Sequence, residues 1–191
     1  VDTEETALMW RGLMLAKAVE QFLRDVQWGY LDYLLIDMPP GTGDVQMALA
    51  RLLPQAEMIV VTTPALSAQK VAVRVADMAR RSHMPILGVI ENMSAFVTPD
   101  GTSWPVFGEG GGDRLATEID VPLLGSIPLE PSVSAGGDNG TPVSISNTGA
   151  AATAFNQIVE RLVSDIAPPL DLSSCSAHNI SEVSVSVGKS S

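Results

Sequence analysis

Leu34-Leu35-Ile36-Asp37-Met38-Pro39-Pro40-Gly41-Thr42-Gly43-Asp44 is the stretch on which the reading of this chain turns. A continuous apolar run ending in a carboxylate predicts a strand buried on both faces, Tyr33 to Asp37, that delivers Asp37 to its C-terminal end. An Asp in that setting is costly unless it is used. Its fitting use is to hold the water shell of Mg²⁺ beside a phosphate, with the Pro/Gly turn presenting backbone amides nearby. Gly41 and Gly43 serve a tight turn in any case, and the same lack of a side chain lets an amide approach a phosphate. Asp44 reads as the N-cap of the next helix, with a phosphate-sensing role beside it. No G-x-x-x-x-G-K-[ST] cradle occurs in the 191 residues, so the chain carries half of a nucleotide site.

Outward from this stretch, helical and strand periodicities alternate. Met9, Trp10, Leu13, Met14, Phe22, Leu23 and Val26 predict an amphipathic helix over about Glu4 to Val26. A short helix follows Asp44 to Leu53, then a strand from Glu57 to Thr62 closed by Thr63-Pro64. A helix from Ser67 to Arg81 places Val71, Val75 and Met78 on one face, and Ile86 to Glu91 is the next strand. Phe107 to Ile119 supplies a Gly-rich lead-in and a helix, Pro122 to Ile127 a further strand, and Thr148 to Ile166 a last helix. Strands alternating with such helices imply an α/β, doubly wound, mostly parallel sheet with helices on both faces. Asn92 falls at a strand end, where such sheets gather ligands, although Asn is equally at home in a turn. Gly110-Gly111-Gly112 is read as a mobile helix lead-in in preference to an anion-binding nest, because the loop holds no Lys or Arg.

Eleven Lys and Arg against 22 Asp and Glu give a formal charge of -11, which repels nucleic acid and anionic lipid. Neither is expected as a partner. No apolar run approaches the ~20 residues of a membrane span, no signal-peptide pattern opens the chain, and a single cysteine, Cys175, has no disulfide partner, so a cytoplasmic location is expected. Cys175, His83 and His178 lack metal-ligand spacing. The expected division is residues 1–166 as the C-terminal part of a nucleotide-binding domain and 167–191 as a Ser-rich disordered tail. Within that tail the alternation Glu182-Val183-Ser184-Val185-Ser186-Val187 leaves docking as an edge strand on a partner open, with a free tail the favoured reading. The chain opens on Val1, and an N-terminal portion is expected ahead of it.

Met9-Trp10-Arg11-Gly12, LDYLLIDMPPGTGDV, VVTTP, GVIENMS, VFGEGGG and PLLGSIP stand in the order found in the Mrp (ApbC) family of iron-sulfur cluster carrier ATPases, which this chain resembles from about Thr6 to Ile166. These are P-loop NTPases related to the septum-site and chromosome-partition ATPases. The resemblance implies ATP and Mg²⁺ as cofactors, a homodimer, an iron-sulfur cluster as cargo and apo iron-sulfur proteins as recipients. It makes Asp37, Gly41 and Asp44 the catalytic set, with Asp37 on Mg²⁺ through water, and gives Asn92 and Pro128 the adenine pocket.

Two departures stand out. The Lys-containing phosphate loop that opens the family's domain is missing, so the 191 residues alone are expected not to hydrolyse ATP. The family's Cys-x-x-Cys pair is replaced by Thr98 and Gly101, neither a soft ligand for iron. The competing readings are a partition-type switch, which would need a basic or amphipathic C-terminal helix, and a non-catalytic binding module.

Overall fold

A computed structural model describes residues 14, 16–38, 43–98 and 101–169. The first helix, α1, covers residues 16–25, Met14 is helical as well, Val26 falls in the bend that follows, and residues 4–13 and 15 of the span expected for it lie outside the described residues. Then follow α2 (Gly43–Leu52), β1 (Met58–Thr62), α3 (Leu66–Arg81), β2 (Ile86–Val97), β3 (Ser103–Trp104), α4 (Gly111–Glu118), β4 (Leu123–Leu129), α5 (Pro131–Asp138), α6 (Val143–Ser146) and α7 (Ala150–Arg161). A π-helical turn, Leu162–Ile166, ends the series.

β2 is the central strand, parallel to β1 on one side and to β4 on the other. Helices cover both faces of this sheet, as the α/β doubly wound reading requires. On one, Ala72 and Ala76 of α3 and Leu115 and Ala116 of α4 pack with Val60 and Val89. On the other, Ala151, Ala152 and Ile158 of α7 pack with Leu124 and Ile127. The close approach of α7 to β4 rests on Gly125, where an added Cβ would stand 2.6 Å from the Ile158 side chain.

Several expectations are corrected. The strand foreseen over Tyr33 to Asp37 is irregular chain without a ladder partner among the described residues, and Leu35 is 87% exposed. Apolar runs favour burial, but a strand also needs a neighbour to take its N–H and C=O groups, and none among the described residues pairs with this one. The buried stripe of α3 is Gln69, Ala72, Ala76 and Ala79, while Val71 of the expected apolar row is exposed. Small residues win that face because the helix lies close on the sheet. β2 does not stop at Glu91 but runs to Val97, with Met93 at φ 56 and a register irregularity between Asn92 and Phe96, and β3 pairs back on it antiparallel.

Candidate functional site at the C-terminal sheet edge

Register sets which residues share the C-terminal edge. Thr62 of β1 lies opposite Glu91 of β2, Glu91 opposite Ser126 of β4, and Asn92 opposite Ile127. Asn92 and Pro128 therefore sit on neighbouring strands, Pro128 one residue beyond the position paired with Asn92. Both lie within strands, however, Asn92 inside β2 and Pro128 inside β4, whereas a strand end and a following loop were expected. Asn92 is half-buried, and its Oδ1 accepts from the Met93 N–H at 2.9 Å. That local bond fits the left-handed backbone at Met93.

Asp37 ends the unpaired segment and is exposed. It borders a cleft of about 680 Å³ whose walls are Leu34 to Met38 on one side and Met58 and Ile59 of β1 on the other, with Gln46 and Leu49 of α2 among the lining. Gly41 lies outside the described residues, and Asp44 stands in the first turn of α2, which begins at Gly43. The register thus puts Asn92 opposite Ile127, one residue before Pro128, while Asp37 borders the cleft beside the first residues of β1.

The glycines of Gly110-Gly111-Gly112 do not make a loose lead-in. A Cβ on Gly111 would meet Pro64 and Gln69 at 2.6 Å, and one on Gly112 would meet the Glu91 Cβ at 2.7 Å. The N-terminus of α4 does receive an anion, but the chain's own: the Gly112 N–H donates to Oε2 of buried Glu91. Glu130, after β4, does the same for α7, its Oε1 accepting from the N–H groups of Ala150 at 2.8 Å and Ala151 at 3.0 Å. Sequence reading missed both carboxylates. A lone Glu closing an apolar strand, Val89-Ile90-Glu91 or Ile127-Pro128-Leu129-Glu130, was the available signal.

Thr98 and Gly101 form the tight turn that opens the β2–β3 return, the Gly101 N–H donating to Thr98 O at 2.8 Å. Gly101 has φ 86, a left-handed backbone that a cysteine would adopt only under strain. Among the described residues no group of three or more His, Cys, Asp or Glu is placed to hold a metal ion. Nor is any helix among them long and apolar enough to cross a membrane.

A parallel sheet wrapped by helices, in a chain that carries Asp37-Met38-Pro39-Pro40-Gly41-Thr42-Gly43-Asp44, fits a P-loop NTPase. The chain belongs to the NUBPL iron-transfer P-loop NTPase family, whose model matches residues 1–163. It is 52% identical over 152 residues to an iron-sulfur cluster carrier protein of Mycobacterium tuberculosis, an alignment covering 76% of this chain and 40% of that protein. The chain thus spans less than half the length of that relative. Among solved structures it is similar to a nucleotide-binding protein from Archaeoglobus fulgidus in complex with ADP, with a TM-score of 0.59, 31% identity, and coverage of 75% of this chain and 58% of the other. The septum site-determining protein MinD of Pyrococcus horikoshii, complexed with Mg-ADP, is likewise similar, with a TM-score of 0.56, 26% identity, and coverage of 78% and 56%.

Proposed function

We propose that these residues form the Mg²⁺-side and base-side part of an ATP-binding and hydrolysing iron-sulfur cluster carrier, which works as a homodimer and assists cluster transfer to apo-proteins. The observation that carries the reading is the Asp37 to Asp44 sequence, with Asp37 bordering the cleft beside β1, in a chain whose family is one of iron-transfer NTPases. The residues present fit half of a Mg²⁺–ATP site. Asp37 is exposed at the cleft, free of any salt bridge among the described residues, and of the right chemistry to hold metal-bound water. Mg²⁺ in that place supplies charge neutralisation on the phosphates. Asn92 offers a donor and an acceptor to a base edge, with Pro128 as its apolar neighbour. Gly41 and Asp44 bracket the turn that senses the terminal phosphate. The cluster is cargo, and the Thr98–Gly101 turn holds no thiolate for it, so its ligands come from outside the described residues.

The test supplies the missing half. Placing the phosphate-loop portion of the Mycobacterium tuberculosis relative ahead of Val1 is expected to give Mg²⁺-dependent ATP hydrolysis, reduced at least ~100-fold by Asp37→Ala. The 191 residues by themselves are expected to turn over no ATP. Turnover by the 191 residues, or a chimera indifferent to Asp37→Ala, would sink the assignment.

A further inference from the structure

Among the described residues, His83, Met93, Asp120 and Asn147 take a left-handed backbone without being glycine. His83, Asp120 and Asn147 each stand within two residues of a helix end, where that conformation commonly closes the helix. Met93, at φ 56, lies inside β2 instead. A long side chain gains nothing from such a backbone in a strand. The strain persists only where the surroundings hold it, and it gathers at sites rather than in plain ladders.

What holds it is the pairing on either side. Asn92 pairs with Ile127 and Phe96 with Leu129, so Met93-Ser94-Ala95 of β2 stands against the single residue Pro128 of β4. Pro128 has no N–H to give a ladder, and the extra residues on β2 form a bulge at that point. Both ends of the bulge are fixed. Before it, buried Glu91 accepts from the Gly112 N–H of α4; after it, Phe96 pairs with Trp104 of β3 as well as with Leu129. Within the bulge the Met93 N–H donates to Asn92 Oδ1 at 2.9 Å. A backbone N–H can only donate, so this bond settles the carboxamide: its oxygen faces the backbone and its Nδ2 donors face away. Nδ2 donates to no group among the described residues, and Asn92 is half-buried on the strand next to Pro128.

We propose that Met93 is a positioning residue for base recognition: its left-handed backbone, held in the bulge opposite Pro128, keeps Oδ1 of Asn92 engaged and turns the Nδ2 donors toward an acceptor atom of a nucleotide base. This role rests on the nucleotide reading above and deepens it, because it assigns the Nδ2 end of Asn92 to the base. It belongs to the backbone of Met93, whose side chain is exposed. Bulges beside sites commonly re-aim a neighbouring side chain in this way.

Titrations of the chimera described above with Mg²⁺–ADP and with Mg²⁺–pyrophosphate, which has no base, test the role. Met93→Val, whose β-branched side chain resists a left-handed backbone, is expected to weaken ADP binding about 10-fold and pyrophosphate binding less than ~2-fold. Met93→Asn and Met93→Gly, which adopt that backbone readily, are expected to bring ADP affinity back to within ~3-fold of the unaltered chimera. Equal ADP affinity in Met93→Val and the unaltered protein overturns the role. So does a loss shared equally by pyrophosphate, which marks a merely structural effect. A loss in Met93→Gly and Met93→Asn as large as in Met93→Val also overturns it, by assigning the effect to the side chain. An unaltered chimera that binds ADP no better than pyrophosphate overturns the base-side reading of Asn92. One that binds neither overturns the nucleotide reading as a whole, and in both cases the positioning role falls with it.

Discussion

Val89 in β2 and Leu35 before Asp37 both belong to continuous apolar runs, yet Val89 is fully buried and Leu35 is 87% exposed. Val89 has a strand on each side and helices α3 and α4 over its face. Leu35 has neither ladder among the described residues. The contrast separates two things that an apolar run conflates: a tendency to leave water, and the possession of neighbours that satisfy the backbone on the way in. The first is a property of the residues, and the second belongs to the assembled sheet.

The sharpest way to break this contrast is to truncate one side chain in each region. Leu115→Ala, at a fully buried position, is expected to lower the unfolding free energy by about 3 kcal/mol, while Leu35→Ala changes it by less than ~0.5 kcal/mol. Equal losses in urea titrations would mean that Leu35 is packed after all. Gly112→Ala tests the tight side in the opposite sense, since its Cβ would stand 2.7 Å from the Glu91 Cβ. We expect about 1–3 kcal/mol of destabilisation by overpacking, seen as a lower midpoint, whereas a neutral outcome would show that α4 shifts freely. The smallest effect belongs to Glu130→Gln, which keeps an acceptor for the Ala150 and Ala151 amides but removes the charge at the α7 N-terminus. A loss of about 1 kcal/mol in thermal melts is expected, and none in Ser132→Ala, whose hydroxyl donates to the same carboxylate from the exposed side.

The sheet's packed half was legible because β1, β4 and the first half of β2 are short runs rich in Val, Ile and Leu with Pro close by, and because their spacing left room for crossover helices. Where β2 ends was not legible. Asn92-Met93-Ser94 reads as a turn, but Met93 takes up the left-handed kink and the strand resumes. Helices α5 and α6 escaped notice because Pro131-Ser132-Val133-Ser134-Ala135-Gly136-Gly137-Asp138 is poor in helix formers; Pro131 at the first turn is the one start signal. Of the candidate site, Asn92 and Pro128 fall on the neighbouring strands β2 and β4, with Asn92 in register with Ile127. The bonds of Glu91 to Gly112 and Glu130 to Ala150 join residues 21 and 20 apart in sequence, a separation at which no periodicity speaks.

The Tyr33–Ala167 hydrogen bond ties residues 134 apart in sequence, and so bears on the order in which a chain may be strung through a fold. Closing a loop of that length costs only about 0.6 kcal/mol more than closing one half as long, because closure entropy grows slowly with length. The order in which the intervening elements pack is therefore left to their own burial, and the contact between the two ends can form last at little extra cost.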